Sequence, residues 1–398
     1  MTGGAAIRTA LAAVCAAFAS AAMAQESPEL PAKELTAGQP SGGEPLRFTK
    51  GKGPGRGNSY LARFEEDYGY LRDPARASDV FDPLKFITID PDRESWLTLN
   101  GETRFRYDNT DHRNFAVATA ATPAKKPGGL PSFTPATGTS TNQLYKQRYA
   151  LGGDLHLGAN LRFYTELMHG QQTGHNVGQT IPGNQRNELG LVNGFGELYA
   201  VVDAAKTGLR AGRQQVYLGN NLQVRANVST NLPSPVFDGF RAYRDWGFAR
   251  IDGFAFNLVR FNDGLVNDLD ISHTNLWGVY GSYDVPKLAL AGIELGQTLE
   301  PFYLGWRSGT AAGGRGSGMY NDQALLTGAR VVAATGAGFV ASQDHRHTLG
   351  LRAYGRIGPN VDYDWQGAYQ IGSYAGLRVD AFAFNTDSQW INASSRAV

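Results

Sequence analysis

The chain is poor in cysteine, in methionine and in charged residues. It has one Cys and four Met among 398 residues, and 18% of the residues are charged; an average soluble domain has about 25%. The cysteine count excludes a disulfide scaffold. A formal net charge of +1 argues against nucleic acid as a partner, because such proteins need a basic excess to displace counterions.

Long hydrophobic runs are also absent once the N-terminus is passed. No later stretch approaches 18 consecutive apolar residues, so no transmembrane helix is predicted. Residues 1–24 have one basic residue, Arg8, then an alanine-rich apolar run and the small-residue pattern Ala22-Met23-Ala24. This arrangement predicts a secretory signal peptide cleaved after Ala24. Cys15 lies inside it, so the mature chain is expected to contain no cysteine.

The remainder of the chain divides by composition into two parts. Residues 25–59 are rich in Pro, Gly, Lys and Glu and predict a flexible periplasmic segment. Residues 60–398 form the second part, which begins with a semi-ordered stretch up to residue 92 and is predicted to be an outer-membrane β-barrel that is C-terminally incomplete.

Beyond Ser95, about twelve segments alternate strictly between apolar and polar side chains, and no helical period competes with them. Each has roughly ten residues, the length of a tilted strand that crosses a bilayer. The predicted strands are 96–108, 144–158, 161–170, 194–203, 208–219, 237–246, 249–259, 275–285, 288–305, 345–358, 361–372 and 376–385.

The connections between these segments alternate between long and short. The short connections include 158–160, 245–247, 284–287 and 358–360, and long polar ones such as 108–143 and 306–343 lie between them. Outer-membrane barrels have short periplasmic turns and long external loops, whereas a soluble sandwich, the alternative, has no reason to alternate. The sequence therefore predicts an all-β fold, a transmembrane antiparallel up-and-down β-barrel. Its apolar face is expected to point outward.

Patterns typical of catalysis or of metal binding are lacking. His345 and His347 have no carboxylate or cysteine at ligand spacing. Asp263, Asp268 and Asp270 could hold calcium in an external loop, but turn chemistry explains them as well. We therefore expect no enzyme activity, no cofactor and no resident metal.

Arginine outnumbers lysine by 28 to 9, and the alternation places many arginines on the polar face. A guanidinium binds a carboxylate at two points, whereas an ammonium is a point charge. This pattern predicts an anion path; the alternative is a neutral lumen in which salt bridges make the barrel rigid. The predicted lumen residues are the basic Arg104, Arg106, Lys146, Arg148, Arg162, Arg210, Arg241, Arg352, Arg356 and Arg378, and the acidic Glu102, Asp154, Glu166, Glu197, Asp362, Asp364 and Asp380.

The succession of strand motifs over residues 60–390 resembles the alginate export family of Gram-negative outer-membrane barrels. Its most specific piece is GRQ at 212–214 with FDGFR at 237–241. The resemblance implies a monomeric barrel of eighteen strands, about six of them missing after residue 385. It also implies an arginine-lined lumen that passes an acidic exopolysaccharide. By position it implies that the lumen residues include Arg104 or Arg106, Arg148, Arg213, Arg241 and Glu197.

Arg213 is the ambiguous member of this set. It alternates with Arg210 and shares the parity of Leu209 and Ala211, which are expected to face outward. A bulge or a tight inward bend would be needed to bring it into the lumen.

Two functions remain open within this architecture. The first is an outer-membrane channel exporting alginate or a related polyuronate, and the second is a general or substrate-specific porin for anions or small carboxylates. The expected partners are an acidic polysaccharide or small carboxylates, outer-membrane lipid and the barrel-assembly machinery, with no nucleic acid. A barrel enzyme of the lipase or protease type is disfavoured, because the predicted rim offers Thr, Pro, Gly and Asn rather than a nucleophile.

Overall fold

The fold is known from a computed structural model. It describes residues 63–66, 68–77, 79–110, 142–175, 185–218, 224, 231–233, 235–290, 293–308, 344–358, 361–374 and 377–390. The predicted signal peptide, the predicted flexible segment 25–59 and most of the predicted loops 108–143 and 306–343 lie outside these residues.

Among the described residues, thirteen strands make one antiparallel sheet in which each strand pairs only with its neighbours in sequence. The all-β, up-and-down prediction is confirmed. Strands β1 and β13 form the two edges, and no pairing joins them within the described residues. The strands are β1 Ile87–Asp90, β2 Ser95–Thr110, β3 Asn142–Leu157, β4 Leu161–His175, β5 Asn187–Val202, β6 Ala205–Gln214, β7 Phe237–Asp245, β8 Ala249–Arg260, β9 Leu269–Leu290, β10 Ile293–Ser308, β11 Asp344–Ile357, β12 Val361–Tyr374 and β13 Leu377–Trp390.

Several strands are longer than the predicted ten residues, and one predicted turn is wrong. The turn expected at 284–287 lies inside β9, which continues to Leu290 and is followed by β10 at Ile293. Pro286 lacks a backbone N–H and usually ends a central strand. Here it lies where the register between β9 and β10 shifts, between the pairs Leu288↔Leu295 and Val285↔Gln297. A ladder irregularity accommodates a missing donor, so the proline does not end the strand.

The two faces of the sheet differ in the side chains that they bury. Successive side chains of a strand point to opposite faces. On one face, here called the outer face, large apolar side chains such as Leu151 and Phe163 are exposed. On the other, the inner face, charged side chains such as Glu166, Arg210 and Arg352 are buried.

The inner face is not polar throughout. On β8, β9 and β10 it has the buried aromatic residues Phe254, Phe256, Tyr280 and Phe302, and Val216 from the segment after β6 packs in the same cluster. The expectation that apolar side chains point outward is therefore wrong for these strands. Alternation shows that two faces differ, but it does not show which apolar side chains a loop will cover.

The described residues before β1, which begin at Arg63, contain no strand. They form three 3-10 turns, Arg63–Glu65, Gly69–Arg72 and Pro74–Arg76, and one short helix, α1, Asp82–Lys85. The first turn, here called the inner segment (Arg63–Glu65), lies against the inner face of the sheet. No helix in the described ranges has the length and apolar character to cross a membrane.

Candidate functional site

Four charged residues form one row across the inner face of β4 to β7. Arg162 pairs in register with Glu197, Glu197 with Arg210, and Arg210 with Arg241. Strand pairing places residues that are far apart in sequence side by side on the same face. We call these four residues the arginine row.

Glu197 links two arginines of the row. It accepts hydrogen bonds from Arg162 Nη1 at 3.3 Å and from Arg210 Nη2 at 3.0 Å. The Arg210 guanidinium lies 4.2 Å from the ring centre of Phe195 and 5.2 Å from that of Phe64. Arg210 is 7% exposed, and two of its buried donors, Nε and Nη1, have no hydrogen-bond acceptor among the described residues.

Further charges border the row at both ends. Asp154 binds Arg162 with contacts of 2.7 and 2.8 Å. At the other end Asp252 binds Arg241 at 2.8 Å and also Arg250 at 2.8 Å. With Glu197 included, four arginines face three carboxylates here. The sheet by itself therefore has an excess of positive charge at this site, although the whole chain is almost neutral.

The inner segment reaches this site from the N-terminal side. Arg63 donates to Glu166 at 2.7 Å and to Glu102 at 2.6 Å. These carboxylates belong to β4 and β2, so Arg63 fixes the segment to the inner face.

Phe64 is the apolar anchor of the inner segment. Its ring lies edge-on to Tyr164 and to Phe195, with centroid distances of 5.9 and 5.6 Å, and its side chain is 1% exposed. Its backbone oxygen accepts a hydrogen bond from Arg162. An aromatic ring held by two others and by an arginine fixes the position of the residue that follows.

Glu65 is that residue. The charges of Arg241, Arg210, Arg250 and Arg162 all act on its carboxylate. Enclosure by the sheet raises the pKa of the Glu65 carboxyl above its usual value, and the four arginines oppose this increase. The side chain nevertheless keeps contact with solvent, so it projects into open space in front of the row.

The structure places the other predicted basic residues elsewhere on the inner face. Arg148 donates to Glu102 at 3.0 Å and to the backbone oxygen of Asn231 at 3.3 Å. Arg104 is its register partner on β2. These side chains lie beyond Glu102, on the long-loop side of the arginine row.

Arg106 and Lys146 lie closer still to the long connection that joins β2 to β3. Both contact Asp108, Lys146 at 3.0 Å. Their positive charges are thus partly neutralised by a carboxylate that the sequence-based set of lumen residues did not include.

Arg352 is a different kind of arginine. It donates to Glu300 at 2.8 Å and to Asp364 at 2.7 Å, and it lies 4.2 Å from the ring centre of Tyr354. It is not part of the arginine row, and its two carboxylates give it a structural environment.

Arg213 shows why its motif is specific. Gly212 and Arg213 pair in register with Gly239 and Asp238, so the GRQ and FDGFR motifs face each other. The backbone at Gly212 has φ 126°, and this irregularity accompanies the half-buried position of Arg213. Arg213 binds Asp238 with two contacts of 2.8 Å, and the structure does not bring it into the arginine row.

Arg378 and Asp380 contradict the prediction that they face the lumen. Leu349 on the outer face pairs with Tyr369, which pairs with Phe382 on β13. Arg378 and Asp380 share the parity of Phe382 and therefore lie on the outer face. This segment has apolar residues at both parities, Val379 and Ala381 on one face and Phe382 and Phe384 on the other, so alternation alone does not decide which face is the inner one.

Four residues of the site were missed from the sequence: Arg63, Glu65, Arg250 and Asp252. The first two precede the alternating strands and have no pattern. Arg250 and Asp252 do alternate along β8, but they share their face with Phe254 and Phe256, so the pattern gives this face no clear polar character.

No group of three potential metal ligands occurs among the described residues. Asp268 accepts from the backbone N–H of Asn262 at 2.9 Å and from Asn187 at 3.0 Å, while Asp263 pairs with Arg186 at 3.0 Å. These contacts fit loop-stabilising roles.

An up-and-down antiparallel sheet with charges on the inner face and exposed apolar side chains on the outer face is the architecture of outer-membrane channels. The profile of the alginate export family matches residues 131–394, more than half of the chain. The chain belongs to this family, which is a transport family and not an enzyme family. No curated protein matches the chain significantly.

Proposed function

We propose that the protein is an outer-membrane channel that exports an acidic exopolysaccharide, alginate or a related polyuronate, and that the arginine row binds the carboxylates of the passing chain. Residues 1–24 would direct export, residues 25–59 would remain in the periplasm, and the barrel would act as a monomer. The observation that carries this proposal is Arg210, a buried guanidinium beside Arg241 whose Nε and Nη1 have no acceptor among the described residues.

The composition of the row suits a polymer better than a single tightly bound ligand. A charge-assisted hydrogen bond contributes about 1.5–3 kcal/mol, and a moving chain must leave each contact it makes. Glu197 and Asp252 moderate the positive charge, so binding is attractive without being permanent. The sites around Arg104 and Arg148 would give the polymer a second group of contacts toward the long loops.

The test is a bilayer recording with the double variant Arg210→Gln plus Arg241→Gln. The carboxylates that Arg210 and Arg241 contact keep other partners in this variant, since Glu197 still pairs with Arg162 and Asp252 with Arg250. We expect a lower anion-to-cation permeability ratio and block by uronic-acid oligomers that is weakened at least about tenfold, the effect of 1.4 kcal/mol.

Arg244→Gln is the matched control. Arg244 is also on β7 but lies on the opposite face from Arg241, near Asp203 and Trp246, so removing its positive charge should leave selectivity and block unaltered. Equal block of the double variant and the wild type would contradict the proposal. Passage of small carboxylates without block by long oligomers would favour the porin alternative instead.

A further inference from the structure

The inner segment and the inner face of the sheet are complementary charge by charge. Its cation, Arg63, binds Glu102 and Glu166, while its anion, Glu65, lies among the arginines of the row and Arg250. A segment docked with the opposite polarity would place like charges together. The match indicates a specific docking site.

We propose that the inner segment is a built-in plug, in which Glu65 gives the arginine row the carboxylate that a solute would otherwise provide. The plug and an anionic solute then compete for the same arginines. This inference rests on the proposed function for the identity of the solute, but the competition itself concerns any carboxylate.

The geometry also indicates that this plug can be displaced. Arg63 and Phe64 make the tight contacts, whereas no described residue donates a hydrogen bond to Glu65. Arg210 Nε and Nη1 stay without an acceptor among the described residues although Glu65 is near. A solute carboxylate that reached these donors would make contacts that Glu65 does not make, and it would therefore have an advantage at this position.

The charge of Glu65 and the volume of the Phe64 side chain can be tested separately in the full-length channel. Glu65→Gln removes the competing charge, so we expect a higher anion-to-cation permeability ratio and block by uronic-acid oligomers tightened about tenfold. Phe64→Ala removes the apolar anchor, so we expect the mean single-channel conductance to rise. Heat-modifiable migration on gels identifies the variants that have folded.

Glu66→Gln is the control for the charge change. Glu66 is the next carboxylate in the chain, but it accepts a hydrogen bond from Tyr68 at 2.9 Å and lies among Arg63, Glu166 and Lys85 instead of the row. We expect it to match the wild type in selectivity and block.

The outcomes separate this proposal from the preceding one. If Glu65→Gln matches Glu66→Gln in chloride-over-potassium selectivity, or if Phe64→Ala leaves the conductance unchanged, the plug is refuted. If the selectivity and conductance changes occur but uronic-acid oligomers block no form of the channel, the plug stands and the polyuronate assignment falls.

Discussion

Arg210 and Arg352 are both buried arginines of the inner face, yet their donors are used differently. Arg352 meets the carboxylates of Glu300 and Asp364, whereas Arg210 meets one carboxylate and two aromatic rings. The same residue type therefore holds the sheet together at one place and offers unsatisfied donors at another. Composition alone cannot tell these roles apart, because it gives the number of arginines and not their partners.

We expect Arg352→Gln to destabilise the fold without changing anion selectivity. Glu300 has 0% exposure, so the substitution leaves a buried carboxylate without its cation, a change that typically costs about 3–5 kcal/mol. Denaturant titration followed on semi-native gels measures the loss. The conservative Arg352→Lys should recover part of it, and a variant as stable as the wild type would show that this pair is dispensable.

The environment of Glu65 predicts a pH dependence of selectivity. The raised pKa of the Glu65 carboxyl means that it becomes neutral at a higher pH than an ordinary glutamate, whose pKa is about 4.3. Acidification therefore removes a negative charge in front of the row, and the anion-to-cation permeability ratio should rise.

Reversal potentials recorded while the pH is lowered from neutral measure this rise. Glu65→Gln cancels only the part due to Glu65, because the other titrating groups remain. A pH profile that is the same in the wild type and in this variant would contradict the assignment.

At the scale of strands, alternation predicted most of the sheet correctly. Its twelve segments correspond to β2–β13, and it placed residues such as Glu166, Glu197 and Arg210 on one face. It could not predict that β9 continues through Pro286, because a register irregularity is a property of two strands. It also missed the inner segment, whose position depends on contacts with β2, β4 and β5 and not on any local period.

Gly212 is the glycine of the GRQ motif and lies in β6. Its φ of 126° is rarely adopted by other residues, and a Cβ there would lie 2.3 Å from the backbone oxygen of Gly194. We expect Gly212→Ala to destabilise the sheet by more than about 1 kcal/mol.

Gly247→Ala serves as the comparison for this change. Gly247 also has a positive φ, 83°, but a Cβ added there would have no atom within 4 Å of it. It therefore measures the backbone cost alone. Equal unfolding midpoints of the two variants in urea would show that the close approach at Gly212 is unimportant.

At the scale of the whole molecule, the connections define the orientation in the membrane. The short ones join β3 to β4, β5 to β6, β7 to β8, β9 to β10 and β11 to β12, so these turns are expected in the periplasm. The connection from β2 to β3 contains Lys125 and Lys126 and is expected outside the cell.

Trypsin added to intact cells should therefore cleave after Lys125, because Lys126 precedes Pro127 and trypsin does not cleave a Lys–Pro bond. The cleaved protein should remain in the outer-membrane fraction, because the strands on both sides stay paired. Cleavage that requires permeabilised cells would reverse the orientation, and recovery of the protein from the soluble periplasm would argue against membrane insertion.

The in-register arginine row also has a consequence for assembly. If β7 paired with β6 one residue out of step, its side chains would exchange faces. Phe240 would then point inward, and Arg241 would point into lipid, where an arginine near the bilayer midplane costs about 2–4 kcal/mol. Arg162 and Arg210 would add similar penalties on their own strands, and Glu197 a smaller one. Charges suited to guiding a solute thus also disfavour misaligned strands while the barrel is being built.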